Sequence, residues 1–350
     1  MISNKSINIC INPFRSRKRS QVMKVGIVIG RQQRERLFRK ETCEQIDALG
    51  DVVWAEYDGS GSVEEAVELL QGCEVGVGSW RTPHPGQAEL FAACPELKGW
   101  IHAAGSVKFI FGNPQVIERK LRVGSCAPAI AKTVAEFTVG ALIAGLRRSF
   151  DNALANRYGA GGKPDHCRFL ATSTIGVVGL GQVGREVVRL LRCFGTKIMV
   201  YDPFLTEKEA EALGVGCCGD LLALCQQVDA LTLHVPALPQ TQKMLRREHW
   251  QALSDHAVFV NTSRGVCIDQ DSLTEELGKG RLTAFLDVSV PEPLPSDHPL
   301  RQLPNCYYSN HIAGGASPLI GEQVYRDLCA WQRGEHFTME VTVADLERLA

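Results

Sequence analysis

Residues 175–184 read IGVVGLGQVG, a short apolar run followed by three glycines with the spacing GxGxxG. The run is typical of a buried parallel strand, and residues 182–191 have the pattern of a helix. Between these elements, Gly179 permits a tight turn, Gly181 allows a phosphate to approach the backbone, and Gly184 allows close packing. The spacing alone is weak evidence. Its position between a strand and a helix predicts a dinucleotide-binding loop, with phosphates on the free amides of the helix N-terminus.

An acidic residue follows the next apolar run, KIMVY (197–201). Asp202 stands 18 residues after Gly184, where an acid that binds the adenosine ribose is expected. A carboxylate there accepts hydrogen bonds from the ribose hydroxyls and repels a 2′-phosphate, which favours NAD over NADP. The alternative is a glycine turn and a strand-end aspartate without a ligand.

Further strand-like runs alternate with helical patterns towards the C-terminus. Together with the two runs above, four more make six strands: ALTLH (230–234), AVFVN (257–261), TAFLD (283–287) and CYYSN (306–310). This alternation predicts a doubly wound parallel sheet.

The first half of the chain also alternates between strands and helices. Its predicted elements are strands at 25–30, 52–57, 75–78 and 97–105, and helices at 36–49 and 63–71. Continuous apolar strands indicate a second α/β unit with a buried parallel sheet. Residues 134–146 are almost wholly apolar, and we expect them to form a buried helix that joins two domains.

Composition limits the class of function. The 350 residues suit two domains, and 38 basic against 39 acidic side chains give no field that would hold nucleic acid or an anionic membrane. The 13 cysteines form no CxxC pair and no zinc-type grouping, so we expect no metal site, free thiols and a cytoplasmic location. We expect the adjacent Cys217 and Cys218 to be packed inside the protein. No apolar run reaches the ~20 residues that span a bilayer.

Residues 1–22 differ from the rest, with five basic residues and no acidic one. We interpret them as a disordered tail or as the result of a start codon assigned too early, because Met23 directly precedes a strand. A secretory signal is not supported, and an organelle-targeting peptide would lack a clear amphipathic helix.

Polar residues cluster after three strands of the second series. These segments are Asn261–Gly265 (NTSRG), Asp287 with Glu292 beyond it, and Asn310–Gly314 (NHIAG). Because open α/β sheets bind ligands at the carboxyl ends of their strands, an arginine, a carboxylate and a histidine are expected to meet there.

Each of these residue types has a use in reducing a 2-oxo acid. Arg264 can hold a carboxylate with two parallel hydrogen bonds. His311 can donate a proton to the carbonyl oxygen, and Glu292 can orient it. Taken singly, they also fit a surface ion pair, a structural histidine and a solvated glutamate.

At this point the sequence resembles the D-isomer-specific 2-hydroxyacid dehydrogenases over about residues 97–328. The motifs that carry the resemblance are GLGQVG with Asp202, LTLHVPALPQT (231–241), FVNTSRGVCID (259–269), FLDVSVPEPLPSDHPL (285–300) and SNHIAGG (309–315).

The resemblance implies roles for individual residues. Arg264 would bind substrate, His311 and Glu292 would form the acid/base pair, and Asp287 would face the nicotinamide end. Other residues would line the cofactor: Gln182, Val183, His234, Val235, Pro236, Thr262 and Ser263, beside Arg264 and His311. A further three would form the substrate loop and offer backbone amides: Ala104, Gly105 and Ser106.

The resemblance also implies an architecture of two Rossmann-like domains. A flavodoxin-like substrate domain would comprise residues 24–127 plus 313–350, and the NAD-binding domain residues 128–312. Cleft closure would exclude water, and a homodimer would form through the nucleotide domain. The substrate stays open because HAAGSVKFI lacks the Gly-Asp turn of many members. Arg81, within Trp80-Arg81-Thr82, is a candidate for the acid's side-chain pocket.

The main reading is therefore an NAD-dependent enzyme that interconverts a small D-2-hydroxy acid and its 2-oxo acid. Two alternatives remain. One is an NAD-sensing interaction protein similar to the related corepressors, and the other is a formate- or phosphite-type dehydrogenase of the same family.

Overall fold

A computed structural model describes residues 23–159, 161 and 166–349. Within these residues the chain forms two β-sheets, both mainly parallel and both covered by helices. The predicted N-terminal tail lies outside the described residues.

The first sheet is built from the N-terminal part of the chain and one strand near the C-terminus. Its strands are β1 (Lys24–Ile27), β2 (Asp51–Trp54), β3 (Val75–Gly78), β4 (Gly99–His102), β5 (Arg122–Ser125) and β13 (Glu340–Val341). They lie in the order β13-β5-β4-β3-β1-β2, and only β13 is antiparallel to its neighbour. Its helices are α1 (Arg31–Leu37), α2 (Lys40–Asp47), α3 (Val63–Leu70), α4 (Ala88–Ala93), α5 (Pro114–Glu118) and α13 (Pro318–Arg333).

The second sheet is wholly parallel. Its strands are β6 (Thr174–Val178), β7 (Lys197–Tyr201), β8 (Gly216–Cys217), β9 (Ala230–Leu233), β10 (Val258–Asn261), β11 (Thr283–Leu286) and β12 (Cys306–Tyr308). They lie in the order β12-β11-β10-β9-β6-β7-β8, so the strand order reverses at β6, where such sheets bind ligands. Its helices are α6 (Ala127–Leu146), α7 (Ser149–Arg157), α8 (Gln182–Arg192), α9 (Glu207–Leu213), α10 (Leu221–Cys225), α11 (Arg247–Ala252) and α12 (Gln270–Gly278). Short 3-10 turns cover Lys108–Gly112, Leu170–Thr172, Pro239–Thr241, Gly265–Cys267, Pro299–Arg301 and Val343–Asp345.

Each sheet has an apolar cluster on both of its faces. In the first sheet, for example, Ile101 packs on one face and its neighbour Trp100 on the other, and both are fully buried. Burial on both faces explains why these strands read as continuous apolar runs. The α/β fold class predicted from the sequence is confirmed.

Helix α6 connects the two cores. It covers 20 residues and begins seven residues before the predicted 134–146. Ala129 in its first turn packs in the first-sheet core, and Ala135 to Leu146 pack in the second. Its length and composition would allow a membrane span, but 56% of its most apolar window is buried inside the protein. A core helix shows the same features.

Some predicted elements differ from the observed ones. The predicted helix 36–49 is two helices, because Phe38 is extended (φ −125°) and packs edge-on against Trp54 with ring centroids 5.4 Å apart. Strands β1, β2 and β4 end three residues before their predicted ends, and β5, β8 and β13 were not predicted. The prediction that Cys217 is packed is wrong: it lies on the two-residue edge strand β8 and is exposed, and Cys218 is half-buried.

Candidate active site

A cavity of about 1000 Å³ lies at the carboxyl ends of the strands, with walls from both sheets. The second sheet contributes residues 181–183, 234–236 and 262–264, together with Asp287 and His311. The first contributes residues 79–84 and 104–106. The loops identified from sequence motifs therefore meet in one place, and all three residues of the predicted substrate loop line it.

The glycine loop has the geometry that a dinucleotide requires. Gly179 has a left-handed φ of +90°, which a side chain rarely adopts. A Cβ on Gly184 would lie 2.1 Å from the carbonyl oxygen of Gly179, so only glycine allows helix α8 to approach β6 this closely. A Cβ on Gly181 would meet nothing within 4 Å. The backbone at Gly181 thus faces open space in the cavity, and no side chain caps the amides that begin α8. These residues fit a bound diphosphate.

Asp202 is fixed beside this loop. One carboxylate oxygen accepts a hydrogen bond from the amide of Leu180 at 2.6 Å, and the other from the amide of Phe204 at 2.8 Å. Each oxygen keeps a further lone pair. The carboxylate is therefore held at the end of β7, where the ribose was predicted to bind.

His234 forms the wall that follows β9. Its imidazole is buried, and burial lowers its pKa to about 3, so it is uncharged near neutral pH. Nε2 contacts the hydroxyl of Thr232 at 2.9 Å, while Nδ1 has no hydrogen-bond partner among the described residues. With Val235 and Pro236 it gives the predicted cofactor site an uncharged side.

A tight turn after β10 presents Arg264. The side chain of Asn261 accepts hydrogen bonds from both the amide and the hydroxyl of Ser263, and it donates one to the carbonyl of Arg264. Thr262 contacts the hydroxyl of Thr138 on α6 at 3.1 Å. The guanidinium of Arg264 donates to the carbonyl of Ser263 at 2.7 Å and has no ion-pair partner among the described residues. Its remaining donors are available to a ligand.

Asp287 holds the loop that carries His311. Its carboxylate is buried and accepts hydrogen bonds from the hydroxyl of Ser309 (2.8 Å) and the amides of Ile312 (2.8 Å) and Ala313 (3.0 Å). Its carbonyl accepts one from the amide of His311 at 2.7 Å. Although Asp287 lines the cavity, its carboxylate oxygens are committed to the loop. These hydrogen bonds position the loop that carries His311.

His311 and Glu292 are in direct contact through Nδ1 and Oε1. His311 has a left-handed backbone (φ +56°), its side chain is half exposed, and it lines the cavity. Nε2 makes no hydrogen bond with the described residues. The contact with Glu292 thus fixes one ring nitrogen and leaves the other for a ligand.

The backbone of the substrate loop is held through the carbonyls of Ala104 and Gly105. The hydroxyl of Ser125 donates to the carbonyls of Ala104 and Gly105, and the amide of Cys126 also donates to Ala104. The amides of Ala104 and Gly105 donate to no group in the described part of the chain. They can bind an anion, as the resemblance implied.

The far end of the cavity was mostly missed by sequence reasoning. His102 and His84 both pack edge-on against Phe109, with ring centroids 5.3 and 4.4 Å away. Burial lowers the pKa of His84, and burial together with the charge of His84 lowers that of His102 to about 3. Arg81 has a left-handed backbone (φ +64°) and no ion pair among the described residues. This end therefore combines one cation with uncharged rings. The signal for His102 was a polar residue at the carboxyl end of a buried strand.

The C-terminal residues Arg348 and Leu349 also line the cavity, and no sequence pattern pointed to them. Among the described residues, no group of three or more His, Cys, Asp or Glu side chains is placed to hold a metal ion.

The fold and the cavity define a class of protein: a two-sheet α/β protein in which a dinucleotide-binding loop, an arginine and a histidine line one cavity. Comparison with known families gives the next step: residues 139–313 match the model of the D-isomer specific 2-hydroxyacid dehydrogenase NAD-binding domain, half of the chain. The chain therefore belongs to the D-isomer-specific 2-hydroxyacid dehydrogenase family. The predicted family, NAD as cofactor and the class of NAD-dependent oxidoreductase acting on 2-hydroxy acids are confirmed.

Individual relatives differ in how much of the chain they share. A D-3-phosphoglycerate dehydrogenase of Methanocaldococcus jannaschii is 35% identical over 230 residues, which cover 62% of this chain and 42% of that protein. A glyoxylate reductase of Korarchaeum cryptofilum is 31% identical over 282 residues, 77% of this chain and 82% of the relative. A crystal structure of a phosphoglycerate oxidoreductase from Rhizobium etli has the same fold, with a TM-score of 0.76 and 24% identity. The match covers 91% of this chain and 98% of that one. The domain boundaries, the residue roles, the homodimer and the cytoplasmic location stay predictions.

Proposed function

We propose that this protein interconverts a small D-2-hydroxy acid and its 2-oxo acid, with NAD as the hydride carrier. The observation that carries the proposal is the placement of Arg264 and His311 on the wall of one cavity that also holds the glycine loop. When bound there, NADH supplies the hydride for the carbonyl carbon.

Arg264 binds and orients the substrate in this proposal. Its planar guanidinium can form two parallel hydrogen bonds with the substrate carboxylate. The free amides of Ala104 and Gly105, across the cavity, add neutral donors for the same carboxylate. Together they fix the plane of the 2-oxo acid before hydride arrives.

His311 moves the proton. In the reductive direction Nε2 gives its proton to the carbonyl oxygen as the carbon gains hydride, so the C=O group becomes CH–OH and the oxygen stays on the carbon. In the oxidative direction the neutral imidazole takes that proton back. Glu292, in contact with Nδ1, keeps the ring oriented while Nε2 exchanges the proton.

Arg81 favours an acid with a second anionic group as the natural substrate. It is a permanent cation at the far end of the cavity, beside His84 and His102, whose lowered pKa values leave them uncharged at neutral pH. The D-3-phosphoglycerate on which the archaeal relative is named to act has such a group, and glyoxylate does not.

The test is a substrate panel followed by an arginine variant. Glyoxylate and other small 2-oxo acids are offered with NADH, and D-glycerate and D-3-phosphoglycerate with NAD, while absorbance of NADH is recorded. Arg264→Gln should lower kcat/KM on the accepted acids by about 100-fold or more, because the substrate carboxylate loses its ionic partner. Arg247→Gln removes an exposed arginine that pairs with Glu275, and should leave kcat/KM unchanged. Absence of turnover on every acid, or equal losses in both variants, would contradict the proposal.

A further inference from the structure

The last described residues form a strap across the edge of the cavity, which we call the C-terminal strap (residues 342–349). It begins at Thr342, whose amide and hydroxyl both bond to the carboxylate of Asp345 at 2.8 and 2.7 Å. Leu346 and Leu349 then pack against the apolar cluster of the first sheet that contains Trp100. The strap is therefore attached to the first sheet by its leucines.

Arg348 on this strap reaches the second sheet. Its guanidinium carbon lies 5.0 Å from the ring centroid of Phe204, and Arg348 lines the cavity. The amide of Phe204 is bonded to the carboxylate of Asp202, the predicted ribose-binding acid. Arg348 thus lies at the adenosine end of the dinucleotide site, although it comes from the opposite wall.

The negative charges of a bound dinucleotide would be stabilised by a basic side chain at the adenosine end of the site. The diphosphate of NAD carries two negative charges, and the glycine loop offers it only backbone amides. The nearest basic side chain on α8, Arg185, is paired with Glu209 at 2.5 Å. The described arginines that line the cavity are Arg81, Arg264 and Arg348. The proposed function assigns the first two to the anionic groups of the substrate.

We propose that Arg348 is a cofactor-binding residue, which places a positive charge from the first sheet next to the diphosphate and ribose of the dinucleotide. The inference rests on the proposed function, in which NAD carries the hydride. It gives the strap a role in holding the two walls together around the cofactor, because Arg348 would then contact Phe204 on one side and the anionic cofactor on the other.

The test measures binding of ADP-ribose, which has the diphosphate but no nicotinamide, by calorimetry. Arg348→Gln should raise the Kd for ADP-ribose about fivefold to tenfold, as expected for one partly exposed charge-assisted contact. Arg348→Lys should restore part of the affinity. The matched control Arg333→Gln removes the same charge from an exposed arginine that pairs with Glu335, and should stay within about twofold of the parent.

Adenosine distinguishes a charge effect from a distorted site. Its affinity should be the same in Arg348→Gln and in the parent, because adenosine carries no charge. An unchanged Kd for ADP-ribose in Arg348→Gln, or an equal loss for adenosine, would overturn the inference while leaving the proposed function intact. A parent protein that does not bind ADP-ribose would overturn both.

Discussion

In the described part of the chain, two glutamates contact Nδ1 of a histidine, and the two pairs differ in what surrounds them. Glu292 contacts His311, which lines the cavity, and Glu340 contacts His336 at 3.1 Å on the surface. Glu340 is shared, because Arg122 donates to both of its oxygens. Glu292 forms no ion pair with a lysine or an arginine among the described residues, and its second oxygen accepts a hydrogen bond from the amide of Ser289 at 3.4 Å.

The two histidines also differ in how firmly the surrounding structure holds them. His311 is held in a left-handed conformation between bonds to the carbonyl and carboxylate of Asp287, whereas the side chain of His336 is 87% exposed. A histidine–glutamate contact is thus insufficient to identify an acid/base pair. A loop fixed by hydrogen bonds, a carboxylate that no arginine among the described residues contacts, and a ligand cavity give the contact its proposed chemical use.

The largest expected effect comes from removing each histidine in turn. His311→Ala should lower kcat by about 100- to 10,000-fold, because the proton for the carbonyl oxygen loses its donor. His336→Ala should change kcat by less than about twofold. Steady-state kinetics on an accepted acid measure both, and calorimetry with NADH confirms that each variant still binds cofactor. Full turnover in His311→Ala would remove the proposed acid/base role.

A smaller effect should follow when the support of His311 is weakened. Asp287→Asn leaves one acceptor oxygen where two now serve three donors, so the loop of residues 309–313 should loosen. We expect kcat to fall about 10- to 100-fold and the free energy of unfolding to fall by about 1–3 kcal/mol. Kinetics and urea unfolding measure the two quantities. Asp220→Asn, at the exposed start of α10, is the control for an aspartate that caps backbone amides. Equal kcat values in the two variants would mean that Asp287 does not position His311.

The sequence predicted the second sheet well because its strands are buried on both faces and read as apolar runs. It missed β8, which has only two residues and so no run to detect. The division of helix 36–49 was also out of reach, because it depends on Phe38 packing against Trp54, 16 residues away. The local sequence pattern predicts helices and strands whose formation depends on their own residues. It fails for elements whose boundaries depend on tertiary contacts.

The site divides in the same way. Arg264, Glu292 and His311 lie in motifs that follow strands, so the carboxyl-edge rule brought them together. Asp287 was expected to face the nicotinamide end, but the sequence could not predict its hydrogen bonds to the loop of His311. Arg348 reaches the cavity from residues near the end of the chain, and only the return of the chain through α13 and β13 places it there.

Arg81 extends the comparison to a second left-handed residue that lines the cavity. Arg148 also has a left-handed backbone, but it lies outside the cavity, so backbone conformation alone does not mark the site. Arg81→Gln should lower kcat/KM about tenfold for D-3-phosphoglycerate and leave D-glycerate within about twofold, because the two acids differ by the phosphate that Arg81 would bind. Arg148→Gln is the control. An equal loss of kcat/KM on both acids would show that Arg81 shapes the cavity and does not bind a second anionic group of the substrate.

The smallest effect concerns stability and contrasts the buried His102 with the exposed His336. Burial and the charge of His84 lower the pKa of His102 from 6.5 to about 3 in the folded protein. Between these values the unfolded chain binds a proton that the folded chain does not, so the free energy of unfolding falls as pH falls. The slope is at most about 1.4 kcal/mol per pH unit, or about 1–2 kcal/mol between about pH 6.5 and about pH 5.

Replacing His102 should flatten this dependence. Urea unfolding of the parent and of His102→Gln at about pH 7 and about pH 5 gives the loss of stability in each, and the variant should lose about 1–2 kcal/mol less than the parent. His336→Gln should lose as much as the parent, because this surface substitution leaves the buried imidazole of His102 in place. A parent and a His102→Gln variant with the same pH dependence would show that the far wall of the cavity admits a proton. His102 would then be charged at about pH 5 and would no longer form an uncharged wall beside Arg81 at that pH.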